Sequence, residues 1–116
     1  MLAGKYNIVC DQGSTFTRTL EIKTAEGTVF SLTGYTARME VRRTLDASST
    51  IVSLTTANGR ITINGSTGVI TLNLTAVETA ALTQSGVYDL EIVKTATGEV
   101  FKVVRGEFKL EKEVSR

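Results

Sequence analysis

Tyr35-Thr36-Ala37-Arg38-Met39-Glu40-Val41-Arg42 alternates without a break: Tyr35, Ala37, Met39 and Val41 fall on one side, with Thr36, Arg38, Glu40 and Arg42 on the other. Side chains leave a strand towards opposite faces with a period of two, so this octet reads as a strand with one dry and one wet face. One-sided burial of that kind belongs to antiparallel sheets. The same reading spreads outward along the chain. Phe16, Leu20 and Ile22 point one way, while the neighbouring threonines, Glu21 and Lys23 point the other. Ile61 and Ile63 repeat the period, as do Ile70, Leu72 and Leu74, and Tyr88, Leu90 and Ile92 alternate with Asp89, Glu91 and Val93. Phe101 and Val103, then Phe108 and Leu110, supply the closing strands. Thr is the commonest residue, and β-branched side chains suit a pleated, half-buried surface.

Turn signals fall between these runs at the short spacing of an all-β sandwich. Ala25-Glu26-Gly27, Asn58-Gly59 and Thr97-Gly98 are each expected to close a hairpin, and Asn64-Gly65-Ser66-Thr67-Gly68 a tight loop. One segment breaks the alternation. Thr75-Ala76-Val77-Glu78-Thr79-Ala80-Ala81-Leu82 is alanine-rich and carries Thr75 and Glu78 at capping-box spacing, which predicts a short helix with Val77 and Leu82 packed on the sandwich. The expected fold is an all-β antiparallel β-sandwich with one short helix, residues 1–116 forming a single domain. Its expected core includes Leu20, Ile22, Met39, Val41, Ile63, Leu72, Tyr88, Leu90 and Phe108.

Composition excludes more functions than it selects. The 116 residues contain no His, no Trp and one Cys, which removes Cys-His zinc sites, Ser-His-Asp triads and internal disulfides. Thirteen Lys and Arg against twelve Asp and Glu leave a net charge of +1, so no concentrated basic surface offers itself to nucleic acid. No apolar run reaches the ~20 residues of a membrane span, and Met1–Lys5 lacks the pattern of a signal peptide, so synthesis in the cytoplasm is expected. Cys10 ends the apolar run Ile8-Val9-Cys10 and reads as a buried, inert thiol.

The remaining polar constellations are weak as chemistry. Asp89 and Glu91 share the wet face of one strand, where calcium binding or glycosidase work would need further ligands or a cleft; a solvated sheet face explains them better. Gly65-Ser66-Thr67-Gly68 has no following Lys-Ser or Lys-Thr and is a turn rather than a phosphate cradle. Arg38 and Arg42 share an outward face, suited to a partner's carboxylates or to nucleic acid, with pairing to glutamates on the next strand the simpler expectation. Tyr35 and Tyr88 sit at inward positions, where packing with a hydroxyl bonded to backbone is the expected role. No catalytic, cofactor or metal residue is assigned.

Read in order, several segments resemble a known family. They are Asp11-Gln12-Gly13-Ser14-Thr15-Phe16, Leu32-Thr33-Gly34-Tyr35-Thr36-Ala37-Arg38-Met39, Gly68-Val69-Ile70-Thr71-Leu72, Gly86-Val87-Tyr88-Asp89-Leu90 and Gly106-Glu107-Phe108. From Lys5 to Val114 the chain resembles the small immunoglobulin-like domain of tailed-bacteriophage structural proteins, most nearly the amino-terminal domain of siphophage upper baseplate proteins. The resemblance implies an immunoglobulin-like sandwich in which Gly34 and Gly86 serve turns and Tyr35 and Tyr88 pack. It also implies a virion structural protein of the tail, baseplate or tail-fibre attachment region. The chain ends at Arg116, where relatives continue into fibre or coiled-coil segments, so a stand-alone adaptor is expected.

The expected partners are other virion proteins, met in multiple symmetric copies, with neither nucleic acid nor membrane among them. The alternatives are a capsid decoration or head–tail connector protein, or a carbohydrate- or cell-surface-binding module. Contact is expected at exposed strand edges, blunted where charges such as Lys94, Lys102 and Arg105 stand, and at the terminal segments Met1–Lys5 and Glu111–Arg116. The loop from Arg42-Arg43 to Ser49 is the third expected contact. Arg42, Arg43, Asp46, Lys102 and Arg105 are the candidate interface residues.

Overall fold

A computed structural model describes residues 4–114. The larger of two sheets contains β1 (Gly4–Lys5), β2 (Ile8–Asp11), β4 (Tyr35–Arg42), β5 (Val52–Thr55), β8 (Gly86–Lys94) and β9 (Val100–Glu111). Its lateral order is β1-β9-β8-β4-β5, with β2 continuing the β1 column against β9. The smaller sheet is β3 (Phe16–Glu21), β7 (Val69–Leu74) and β6 (Ile61–Asn64), in the order β3-β7-β6. These orders reproduce the G-F-C-C′ and B-E-D arrangements of an immunoglobulin sandwich. The protein is an all-β, immunoglobulin-like sandwich with one short helix.

The alternating runs fix which side of each strand meets the other sheet. Met39, Val41, Leu54, Leu72, Leu90, Ile92 and Phe108 are wholly or almost wholly buried between the layers. Phe16 and Phe108 meet edge to face, with centroids 6.2 Å apart. Leu20 and Ile63, expected in the core, are only partly buried, because β3 and β6 are the edge strands of a three-stranded sheet. Asp89, Glu91, Arg38 and Glu40 keep the outer face that their phase assigns.

Two features depart from a purely antiparallel pattern. β1 and β2 run parallel to β9, with Ile8 beside Phe108 and Cys10 beside Leu110. Of the terminal segments expected as contacts, Gly4–Lys5 and Glu111 are bonded into the sheet, and residues 1–3 and 115–116 lie outside the described residues. Phe101, Val103, Phe108 and Leu110 belong to one strand rather than two. A bulge sets Leu90 opposite Val104 and Glu91 opposite Lys102, so Val103 is the extra residue and the inward phase changes from odd to even numbers. Both Val103 and Val104 are buried.

Of the three expected hairpins, Thr97-Gly98 joins β8 to β9, and the Asn64–Gly68 loop joins β6 to β7 as read. Asn58-Gly59 closes no hairpin: it lies where the chain crosses from β5 in one sheet to β6 in the other. Ala25-Glu26-Gly27 closes only the single bridge between Lys23 and Val29, since β3 pairs with β7 instead. Gly34 does serve a turn, at a φ of +83°. Gly86 serves a close approach within a strand, where a Cβ would stand 2.2 Å from the Arg42 carbonyl oxygen.

Helix α1 (Ala76–Ala80) forms where expected, with the capping box complete. The Glu78 amide donates to the Thr75 hydroxyl at 3.1 Å, and the Thr75 amide donates to the Glu78 carboxylate at 2.7 Å. Its packed face differs from the expected one. Leu82 is buried, but Val77 is 81% exposed, and Thr79 turns inward instead. The Thr79 hydroxyl donates to the Ser14 carbonyl at 2.8 Å and accepts from the Gly13 amide at 3.0 Å, so a polar residue docks the helix by satisfying the β2–β3 turn.

Three substitutions separate these roles by urea denaturation. Leu90→Ala is expected to cost about 2–5 kcal/mol, and Val77→Ala to stay within about 0.5 kcal/mol of wild type. Thr75→Ala, which removes the cap, is expected to cost about 1 kcal/mol. Glu78 adds a pH dependence. The Thr75 amide, foremost, and the Arg60 guanidinium hold its carboxyl below the ordinary 4.5. A lowered folded-state value contributes stability above the unfolded value that disappears as pH falls through the folded one. The stability gap between wild type and Glu78→Gln is therefore expected to be widest above about pH 5 and to narrow through acid titration.

Candidate functional site

The outer face of the larger sheet gathers most of the candidate residues, because four strands bring their wet sides into register there. Lys5 is paired with Arg105, Arg105 with Asp89, and Asp89 with Glu40. Across β1, β9, β8 and β4 this row reads plus, plus, minus, minus. The next row runs Lys102, Glu91, Arg38. Asp89 and Glu91 thus serve ion pairs. Lys102 Nζ lies 3.2 Å from Asp89 Oδ2, and Arg38 Nε 2.8 Å from Glu91 Oε1. These are solvent-exposed pairs of modest energy, and they set register more than stability.

Arg42 has a different job from the one its charge suggests. Its guanidinium donates to the Ala47 carbonyl at 2.9 Å and pairs with Glu40 at 3.2 Å. It thereby folds the β4–β5 loop back over the sheet and leaves Leu45, 86% exposed, standing above Val87. Beneath Leu45 lies a shallow groove of about 180 Å³, lined by Glu40, Arg42, Val87, Tyr88, Asp89, Lys102 and Arg105. A second depression on the same face adds Lys5 and Glu107. Ligand sites for drug-sized molecules are typically ≈ 300–1,000 Å³ and mostly enclosed. The first groove falls below that volume, and the second, about 330 Å³, is open to solvent.

The structure brings Arg42, Lys102 and Arg105 to one groove. Arg43 points into a neighbouring depression with Gly86, Glu107 and Lys109. Asp46 is exposed in the β4–β5 loop and lines none of these depressions. Arg105 guards no edge, since Lys5 of β1 pairs with it; the described pairing of β1 with β9 covers Val104 and Arg105 and does not reach Lys102. Among the described residues, no cluster of three or more His, Cys, Asp or Glu side chains is placed to hold a metal ion. No described helix is long and apolar enough to cross a membrane.

Two edge devices were missed by sequence reading. Arg18 occupies an inward phase of β3 between Phe16 and Leu20, lies 4.9 Å from the Phe16 ring centroid, and reaches out to two strand edges. It donates to the Thr17 carbonyl at 2.9 Å and to the Val9 carbonyl at 2.6 Å. A charge at an inward position of an edge strand is the signal that could have revealed it. On the opposite side, Asn58 accepts from the Thr55 amide at 3.0 Å and donates to the Ser53 carbonyl at 3.1 Å. Arg60 donates to that same carbonyl at 3.0 Å. Edge groups of β2, β3 and β5 are thus already bonded by the protein's own side chains.

Two buried titratable groups are structural. Burial, with Asp11 adding to it, pushes the Cys10 thiol up to about 11. Burial likewise raises the Tyr88 phenol, whose hydroxyl donates to the Tyr6 carbonyl at 2.5 Å. That carbonyl fits because residue 106 is Gly, where a Cβ would stand 2.3 Å from it. No protein-family model matches the chain, and no curated protein matches it significantly.

The thiol and the edges each yield a measurement. Cys10 is expected to resist alkylation in the native state at about pH 8 and to react fully once denatured, because the thiolate is the reactive form. Asn58→Ala is expected to cost about 1–2 kcal/mol and to raise aggregation on gentle heating, read by light scattering.

Proposed function

We propose that this chain is a structural protein of a tailed-bacteriophage virion, acting as an assembly adaptor in the tail, baseplate or fibre-attachment region. It works by contact and performs no catalysis. The observation that carries the assembly reading is the outer face of the larger sheet: an ordered lattice of charges with an overhanging apolar residue and only shallow grooves. Its virion setting rests on the resemblance to small immunoglobulin-like phage domains, and the immunoglobulin-like strand order supports that reading. Fold alone does not select a function, so the surface has to carry it.

Arg105, exposed and without an ion pair among the described residues, is the foremost candidate to receive a partner's carboxylate. Lys102 and Arg42 flank it in the groove. Arg43 and Asp46 extend the contact along the loop. The chain's end contributes less than its polarity suggests. Glu111 accepts the Gln12 amide at 2.9 Å, and the Glu113 amide donates to the Gln12 side chain at 3.0 Å. Removing the last six residues would disturb the fold as well as any docking.

The test is location and incorporation in purified particles. Immunogold labelling should place the chain at the tail tip or fibre attachment. Label on the capsid or neck would assign it to decoration or connection instead, and particles without the chain would overturn the virion role. Arg105→Glu is expected to lower incorporation at least about tenfold while changing stability by less than about 0.5 kcal/mol.

A further inference from the structure

We infer that the partner across the outer face of the larger sheet is a second copy of this chain, related by a two-fold axis that runs along the strands between β8 and β9. The inference rests on reading that face as the assembly surface. Such an axis exchanges β8 with β9 and β4 with β1. The row Lys5, Arg105, Asp89, Glu40 changes sign about that midline. Laid face to face, Arg105 of each copy meets Asp89 of the other, and Lys5 meets Glu40. Lys102 and Glu91 exchange in the same way. A closed two-fold contact requires a self-complementary patch, and this arrangement supplies one.

Charge bookkeeping within one copy points the same way. Arg105 and Lys5 stand side by side, and neither makes an ion pair among the described residues. The Asp89 carboxylate beside Arg105 is bonded to Lys102. Two adjacent cations are left facing outward, next to two acids that Lys102 and Arg42 already pair within the copy and that a partner's cations would share. At a net charge of +1, little long-range repulsion opposes the approach of another copy. Leu45 and Val87 add the apolar area that charged rows lack.

The size of the face sets the strength. Four strands at ~4.8 Å spacing, with nine residues in β8, make a patch of roughly 19 × 30 Å. That is below the ~800 Å² per partner of a standard stable interface, and ion pairs at such a contact give specificity more than affinity. The pair is therefore weak, with dissociation on the order of 10–100 μM at low salt, and becomes firm only where a larger assembly holds copies close together.

Charge exchange tests this on the purified chain by sedimentation equilibrium, at loading concentrations up to about 1 mM in low salt. Wild type is expected to dimerise, and to weaken as salt rises. Asp89→Arg sets like charges against Arg105 of its own partner, and Arg105→Asp does the same against Asp89, so each variant alone should lose affinity on the order of 100-fold. Mixed in equal amounts, the two variants are fully complementary and should form a heterodimer. Lys5→Glu and Glu40→Lys repeat the logic one column outward, should either inner variant fail to fold. A monomeric wild type, single variants that dimerise like wild type, or a mixture that stays monomeric would each overturn the inference. If wild type is monomeric yet Arg105→Glu still lowers particle incorporation, the face serves a different protein and the assembly reading stands.

Discussion

The phase of β8 governs the rest of the molecule. The strand is bonded on both sides, to β4 from Tyr35 to Arg42 and to β9 from Val100 to Phe108. A slip of one residue would turn Tyr88, Leu90 and Ile92 to solvent and carry Asp89 and Glu91 into the core. Burying even one unpaired carboxylate costs several kcal/mol, so the register has no near competitor. With the phase fixed, everything on the outer face follows: Asp89 and Glu91 point out, and the cross-strand partners Arg38, Glu40, Lys102 and Arg105 are drawn into rows beside them. Core and candidate contact surface are the two sides of one constraint.

The amino-terminal segment shows how local chemistry is fitted around that constraint. β1 and β2 share one column against β9 but are interrupted at Tyr6 and Asn7. The Tyr6 carbonyl enters the space that Gly106 leaves open and is met by the Tyr88 hydroxyl. The Asn7 side chain accepts from the Glu107 amide at 3.1 Å. A kink that would strand backbone groups at the sandwich edge is thereby satisfied by one phenol and one amide.

Much of this was legible in the residues. The octet Tyr35–Arg42, the Thr75 and Glu78 cap, and the inward Tyr88-x-Leu90-x-Ile92 run each obey a local rule that tertiary packing then uses. What was not legible depends on which sheet a strand joins. Asn58-Gly59 has hairpin chemistry, yet the Asn58 side chain spends its hydrogen bonds on Ser53 and Thr55 as the chain changes sheets. Val77 and Thr79 reversed roles because the short α1 is docked by a hydroxyl at the β2–β3 turn, 65 residues away in sequence from Ser14. The bulge at Val103 was written as a change of phase between Val103 and Phe108 and was read as a gap between strands. Of the candidate interface residues, the sequence supplied the charges; only the register could bring Arg105, Lys102 and Arg42 to one groove.

The edges decide how such a domain can associate. Strand addition needs free amides and carbonyls in a row, and sequence reading favoured that route. Along β5, Asn58 and Arg60 occupy the Ser53 and Thr55 groups, and Arg18 occupies Val9 on β2 and Thr17 on β3. An incoming strand would have to displace the charge-assisted bonds of Arg18 and Arg60 for neutral ones of about half their strength, and the Asn58 bonds as well. The side-chain lattice of the larger sheet leaves Arg105 and Lys5 facing solvent beside Asp89 and Glu40, whose own partners Lys102 and Arg42 hold them through exposed ion pairs of modest energy. The bonded edges of β2, β3 and β5 and the charged face of the larger sheet are complementary features: the first disfavours sheet extension there, and the second is the surface on which the proposed contact would take its register from charge. For a small domain with almost no net charge, that combination permits ordered association without runaway stacking.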